Sequence, residues 1–278
     1  MDRLVYLKNK KIAILGGSGT LGRALVRELL NEEVGRILIF SRDEIKQLEM
    51  MEEFPSDNFH MLDFKLGDVR DLPRLKEVLG GYDYVIHAAA IKHVVMAEKN
   101  PEECHKTNVL GTQNVIEACK VNNITRAILI STDKAVNPIG VYGKSKQEAE
   151  QRWLNANTED ECQFNVVRLG NIIGARGSVF EAFAKQRKNG VIKVTHPEAT
   201  RFCITQKDAA QFVIQSLATD FKQIFTPEME AFRVVDLAKE IAPECEIAFV
   251  GLRPGDKLHE EVNGVSSSLV VENVIYGS

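Results

Sequence analysis

Lys11-Ile12-Ala13-Ile14-Leu15-Gly16-Gly17-Ser18-Gly19-Thr20-Leu21-Gly22 is the stretch that decides the fold. Its first five residues read as a buried strand, three glycines follow at fixed intervals, and Arg23 to Leu30 then reads as an amphipathic helix. In that context Gly16 permits a tight turn, Gly19 lets backbone N–H groups approach a pyrophosphate, and Gly22 lets the helix pack on the strand. The dipole of the helix favours an anion at its start. Gly16, Ser18, Gly19, Thr20, Leu21 and Gly22 are therefore candidate cofactor contacts; a Gly-rich turn without a ligand is the alternative.

Outward from the loop, short apolar runs alternate with helical stretches, the signature of a parallel sheet covered by helices. Strands are expected at Lys11 to Leu15, Arg36 to Phe40, His60 to Leu66, Tyr84 to Ala88, Arg126 to Ser131 and Phe164 to Leu169. Helices are expected at Leu21 to Asn31, Glu44 to Glu53, Leu72 to Leu79, Glu102 to Val121 and Val141 to Asn155, each able to cross over a sheet. The fold class is α/β, a doubly wound parallel sheet of the Rossmann type with a small C-terminal lobe. Residues 1–170 form the nucleotide-binding domain; 171–201 and 227–278 form a substrate-binding lobe. The stretch Arg201 to Ala218 reads as a strand and helix returning to the main sheet, so 202–226 is assigned to the first domain.

With 278 residues the chain has room for a sizeable core, and a net charge of -4 argues against holding nucleic acid through a general positive field. The start, Met1 to Lys8, is too polar for a signal peptide, and no apolar run is long enough to span a membrane, so a cytoplasmic protein without a membrane partner is expected. Cys104, Cys119, Cys162, Cys203 and Cys245 are scattered, with no C-x-x-C pair, and the six histidines are dispersed. No disulfide framework and no metal site are expected.

The second expected strand runs into Ser41-Arg42, where an NAD site usually has an acidic residue for the ribose 2′-hydroxyl. Ser41 and Arg42 suit a 2′-phosphate instead, and so favour NADP; a solvated arginine is the alternative. Asp68, after the third strand, could accept from the adenine amino group while Val69 packs on its face, or it could cap the next helix. Small residues after His87, beginning with Ala88, suit close passage of a cofactor or plain strand–helix packing.

The strand ending at Ser131 leads into Thr132-Asp133-Lys134, and Tyr142 and Lys146 follow four residues apart. On a helix that spacing puts both on one face, so the Lys146 ammonium can stabilise a Tyr142 phenolate. A phenol with a reference pKa of about 10 needs such help to act as a base. Asp133 and Lys134 are adjacent opposite charges at a strand end, which suggests acid/base chemistry beyond that of a simple dehydrogenase. A surface ion pair is the alternative.

The G-x-x-G-x-x-G spacing resembles that of short-chain dehydrogenases. Ser41 to Gln47, His87 to His93, Ser131 to Ala135 and Arg253-Pro254-Gly255-Asp256-Lys257-Leu258-His259-Glu260 together resemble the 5-inverting UDP-N-acetylglucosamine 4,6-dehydratases of the pseudaminic acid pathway, extended members of that family. Some relatives, including membrane-bound retaining dehydratases, carry Met at the Tyr142 position; the tyrosine is similar to the soluble inverting branch. The resemblance implies that Tyr142 deprotonates the C4 hydroxyl, Lys134 removes the C5 proton and Asp133 protonates the departing C6 hydroxyl. Lys134 would then have to be a neutral amine, its pKa depressed by burial, Lys92, Lys146 and the oxidised cofactor. It also implies cofactor contacts at Lys46, Thr107, Tyr142, Lys146 and Ile172, and substrate contacts at Lys92, Asn171, Arg201, Arg253 and Asp256. A homo-oligomer, dimer or hexamer, is implied as well. Relatives often continue beyond the point corresponding to Ser278, so subunit contacts from such a tail are not assigned. A nucleotide-sugar 4-epimerase and a non-catalytic NADP-binding regulator remain as rival readings.

Overall fold

A computed structural model describes residues 5–54, 56–157, 162–219 and 223–271. The strands are β1 (Lys11–Leu15), β2 (Arg36–Ser41), β3 (Leu62–Leu66), β4 (Tyr84–His87), β5 (Arg126–Thr132), β6 (Gln163–Leu169), β7 (Asn171–Ile172), β8 (Val191–Val194), β9 (Thr200–Ile204), β10 (Ile224–Phe225), β11 (Glu230–Arg233) and β12 (Glu246–Phe249). The helices are α1 (Thr20–Leu29), α2 (Glu44–Glu53), α3 (Leu72–Val78), α4 (Val94–Lys99), α5 (Pro101–His105), α6 (Gly111–Val121), α7 (Val141–Asn155), α8 (Val179–Arg187), α9 (Gln206–Ser216) and α10 (Val234–Ile241).

Seven parallel strands form the central sheet in the order β10-β6-β5-β4-β1-β2-β3. Both faces of β1 are buried, and its side chains alternate between them. Ile12 and Ile14 join Leu25, Ile37, Ile39 and Val213 under α1 and α9, whereas Ala13 and Leu15 join Leu38, Val85, Val115 and Trp153 under α3, α6 and α7. A strand buried on both sides reads as a continuous apolar run, which is why β1 is conspicuous in the sequence. The order in which strands are added reverses between β1 and β4, and the crevice outside their carboxyl ends is where such sheets take ligands.

Three expectations change. The stretch Glu102 to Val121 is α5, a π-helical turn over Lys106–Leu110, and then α6. The wide turn brings Asn108 onto the backbone of Ile91, accepting from its N–H at 2.8 Å and donating to its carbonyl at 3.0 Å. Within Arg201 to Ala218, the helix α9 does pack on α1, but the strand does not join the main sheet. Instead β9 pairs with β7 and β11 in a separate three-stranded sheet, and the main sheet is extended by β10. Finally, α4 was not anticipated; six residues are too few for a periodic signal.

A second, smaller core gathers Phe183, Ile192, Val194, Cys203, Phe232 and Leu237 from α8, β8, β9, β11 and α10. No helix among the described residues is long and apolar enough to cross a membrane.

Candidate active site

The glycine loop forms a cradle at the carboxyl end of β1. Gly16 has φ of +88°, and a Cβ there would stand 2.7 Å from the backbone nitrogen of Ala89, so the turn passes directly beside the segment that follows β4. A Cβ on Gly22 would overlap the carbonyl of Gly17. Gly19 caps α1 in extended conformation and offers no side chain to its first N–H groups. These groups suit the anionic bridge of a dinucleotide.

Ser18 is buried and its hydroxyl donates to Ser41 Oγ at 2.8 Å, which also accepts from Gln47 Nε2 at 3.0 Å. Arg42 lies on the same rim, 56% exposed and loosely held at 3.5 Å from Asp68 Oδ2. Lys46 sits 2.5 Å from Asp43, the residue that caps α2. The carboxylate of Asp68 is gripped by Arg70, which donates from its backbone at 3.0 Å and from its guanidinium at 2.7 Å. Burial raises the Asp68 pKa, but these bonds more than offset it and hold the carboxyl below the usual range. Asp68 does not cap α3; Asp71 does, accepting from Arg74 N at 3.0 Å. Val69 is buried against Gly111. Thr107, within the π-turn, is buried and its hydroxyl has no hydrogen-bond partner among the described residues, an orphan that a bound ligand would satisfy. Ala88 and Ile172 are half-buried, Ile172 packing on the core below. Cradle, capless helix and orphan hydroxyl fit a nicotinamide dinucleotide.

The acid/base cluster stands at the end of β5. Asp133 is 0% exposed, which rules out a surface ion pair. Its Oδ1 accepts from Thr132 Oγ1 at 2.8 Å and from Lys134 Nζ at 2.9 Å, while Oδ2 has no hydrogen-bond partner among the described residues. The same ammonium lies 3.3 Å from Asn171 Oδ1 and 3.3 Å from Glu260 Oε1.

The expectation that surroundings depress the Lys134 pKa is overturned. Burial does lower it, but Asp133 and Glu260 together outweigh burial and the repulsion of Arg201, so the resting side chain is held as an ammonium above its ordinary range. Lys92 and Lys146 are engaged elsewhere.

Tyr142 occupies the first turn of α7, 8% exposed, with α4 packed against it. Burial pushes its phenol up to about 12, while the Lys134 ammonium and a hydrogen bond with Thr132 pull the other way. The Lys134 ammonium is the larger of these two downward influences on the phenol. Lys146 shares the helix face but donates to the carbonyl of Ile130 at 2.7 Å, and burial brings its pKa down to about 8.

Among the expected substrate residues, Asn171 and Arg201 join the cluster; Arg201 Nε lies 3.9 Å from Glu260 Oε1. Lys92 donates to the carbonyl of Arg176 at 2.8 Å, and burial lowers its pKa. Arg253 is 55% exposed and bonded to Asp256 at 2.7 Å across the Pro254-Gly255 turn. Sequence reasoning missed Glu260 and Thr132 as site members. Each stood within a quoted motif, but their chemistry depends on a meeting of β5 with the C-terminal segment. No group of three or more His, Cys, Asp or Glu among the described residues could hold a metal ion.

A family model described as polysaccharide biosynthesis protein matches residues 12–273. A Campylobacter jejuni protein named UDP-N-acetylglucosamine 4,6-dehydratase (inverting) is 41% identical over 258 residues, 90% of this chain and 76% of that protein. A Rickettsia bellii protein named UDP-glucose 4-epimerase is 34% identical, over 91% of this chain and 77% of that one. The solved structure of Pen from Bacillus thuringiensis superposes with a TM-score of 0.88 at 33% identity, covering 92% of this chain and 83% of the other. The chain therefore belongs to the polysaccharide biosynthesis protein family, within the extended short-chain dehydrogenases/reductases.

Proposed function

We propose that the chain removes water across C5 and C6 of UDP-N-acetylglucosamine, with inversion at C5, using NADP. The observation that carries the reading is the pair of fully buried Asp133 and partly buried Lys134, whose ammonium acts on Tyr142. A 4-epimerase, the name carried by the Rickettsia relative, needs only a base for the C4 hydroxyl and a cofactor. It has no use for a second acid and base. The named activity of the Campylobacter relative requires both.

When bound, the nicotinamide cofactor supplies a hydride acceptor for C4 and, later, a hydride donor for C6. Tyr142 takes the proton of the C4 hydroxyl, its phenolate stabilised by the Lys134 ammonium. The resulting 4-ketone acidifies the C5 proton. Lys134 and Asp133 are one proton transfer away from what the elimination needs. Moving a proton from Nζ across 2.9 Å to Asp133 leaves an amine to take the C5 proton and a carboxylic acid to protonate the departing C6 hydroxyl. A proton delivered to C5 from solvent on the opposite face, matched by the one Tyr142 releases to solvent, gives the inverted 4-keto-6-deoxy sugar. Arg201 and Arg253 suit the UDP pyrophosphate through forked hydrogen bonds. Ser41 and Arg42 suit the 2′-phosphate, which is the reason for preferring NADP.

The test is incubation of the purified protein with UDP-N-acetylglucosamine and NADP⁺ followed by mass analysis of the sugar. A product lighter by one water supports the reading, and an isomer of unchanged mass points to the epimerase.

A further inference from the structure

We propose that Glu260 is the positioning residue of Lys134: with Asp133 it fixes the ammonium in the site, and it sets how high the pH can rise before Lys134 and Asp133 lose the proton they share. This rests on the assignment of Lys134 as the elimination base and goes further, because nothing in that assignment requires a second carboxylate.

An ammonium group has three N–H donors, and three oxygens lie within 3.3 Å of Lys134 Nζ: Asp133 Oδ1, Asn171 Oδ1 and Glu260 Oε1. They come from three separate parts of the chain, so the nitrogen is held from three directions. Glu260 is 2% exposed, and its Oε2 has no hydrogen-bond partner among the described residues. A buried carboxylate left this short of donors is costly to maintain by packing alone. Its backbone is fixed as well. Glu260 N donates to Ser267 Oγ at 2.9 Å, and Ser267 N donates to the Glu260 carbonyl at 2.8 Å.

The charged groups facing Lys134 are Asp133 from the turn after β5, Tyr142 from α7, Arg201 from β9 and Glu260 itself; Lys257 stands 3.9 Å from the outer oxygen of Glu260. Asp133 is consumed as an ionic partner when it takes the proton from Lys134. Glu260 is then the carboxylate that remains beside the amine and stabilises the ammonium formed when the C5 proton arrives. Removing its charge favours the amine at rest. The pH at which the pair loses its shared proton must fall.

The experiment compares wild type and Glu260→Gln in single turnovers with UDP-N-acetylglucosamine and NADP⁺. Nicotinamide absorbance follows C4 oxidation, and loss of the C6 hydroxyl follows elimination, both across pH. In Glu260→Gln the alkaline limb of elimination is expected about one pH unit or more lower, the scale of one neighbouring opposite charge, while oxidation, which Lys134 reaches only through the phenol, moves less. Glu260→Asp is expected to hold the limb near its wild-type position. Should Glu260→Gln fail to fold, Glu260→Ala carries the test, with a shift in the same direction. In Glu260→Gln, an elimination limb that does not move, or one that moves no further than that of oxidation, overturns the proposal and leaves the dehydratase reading standing. A wild-type protein that never forms a dehydrated sugar removes both.

Discussion

At the scale of single residues, Lys134 connects the two halves of the chemistry. In the proposed mechanism it lowers the Tyr142 phenol for the oxidation as an ammonium and serves the elimination as an amine. Lys134→Ala is expected to slow dehydration about 10²–10⁴-fold, the usual contribution of a positioned base, and to leave oxidised sugar with reduced cofactor accumulating in rapid-quench samples. Tyr142→Phe is expected to stop the sequence earlier, with no reduced cofactor at all. A different titration governs stability. His87, fully buried at the end of β4, has its pKa pushed down to about 3 by burial, with Lys146 adding to the effect. Its folded value lies below its unfolded value, so the unfolded chain binds the extra proton between pH 6.5 and 3. Stability from the neutral ring is present above that window and lost as pH falls through it. Urea midpoints of His87→Gln are expected to fall less steeply with acid than those of wild type.

At the scale of elements, α7 is the device that aims the phenol, and its start is held from outside. Gly140 caps it without a side chain, and Glu98 of α4 accepts from Val141 N at 2.6 Å. Glu98→Ala is expected to cost about 1 kcal/mol, as for loss of a helix cap, visible as a lower denaturation midpoint. The span of α7 was legible because its strand, turn and helix signals are local: Val141 to Asn155 is expected and Val141–Asn155 is found. The π-turn over Lys106–Leu110 was not legible, since it follows from a clasp between Asn108 and Ile91 that no local pattern encodes. The charge state of Lys134 was hidden for the same reason. Asp133 is its sequence neighbour, but Glu260 arrives from a distant segment, and the pair of carboxylates reverses the effect of burial.

At the scale of the whole molecule, the sheet order brings the ends of β1, β4 and β5 to one edge, so the glycine cradle and the Asp133–Lys134–Tyr142 cluster share a crevice. That much follows from alternating strands and helices, and the main sheet was readable from β1 to β6. Membership of β9 was not, because a short apolar strand pairs equally well with either sheet until packing decides. The rim residues Ser41 and Arg42 imply a cofactor preference: NADP⁺ is expected to raise the melting temperature more than NAD⁺ at equal concentration, and Arg42→Ala to abolish the difference. The central claim is that Tyr142 and the Asp133–Lys134 pair together oxidise a hexose briefly so that water can leave. Its most direct test is the reaction of UDP-N-acetylglucosamine in deuterated water, read by NMR of the sugar. The account requires a C6 methyl group and deuterium at C5 in the inverted configuration; an intact C6 hydroxyl with protium retained at C5 would contradict it.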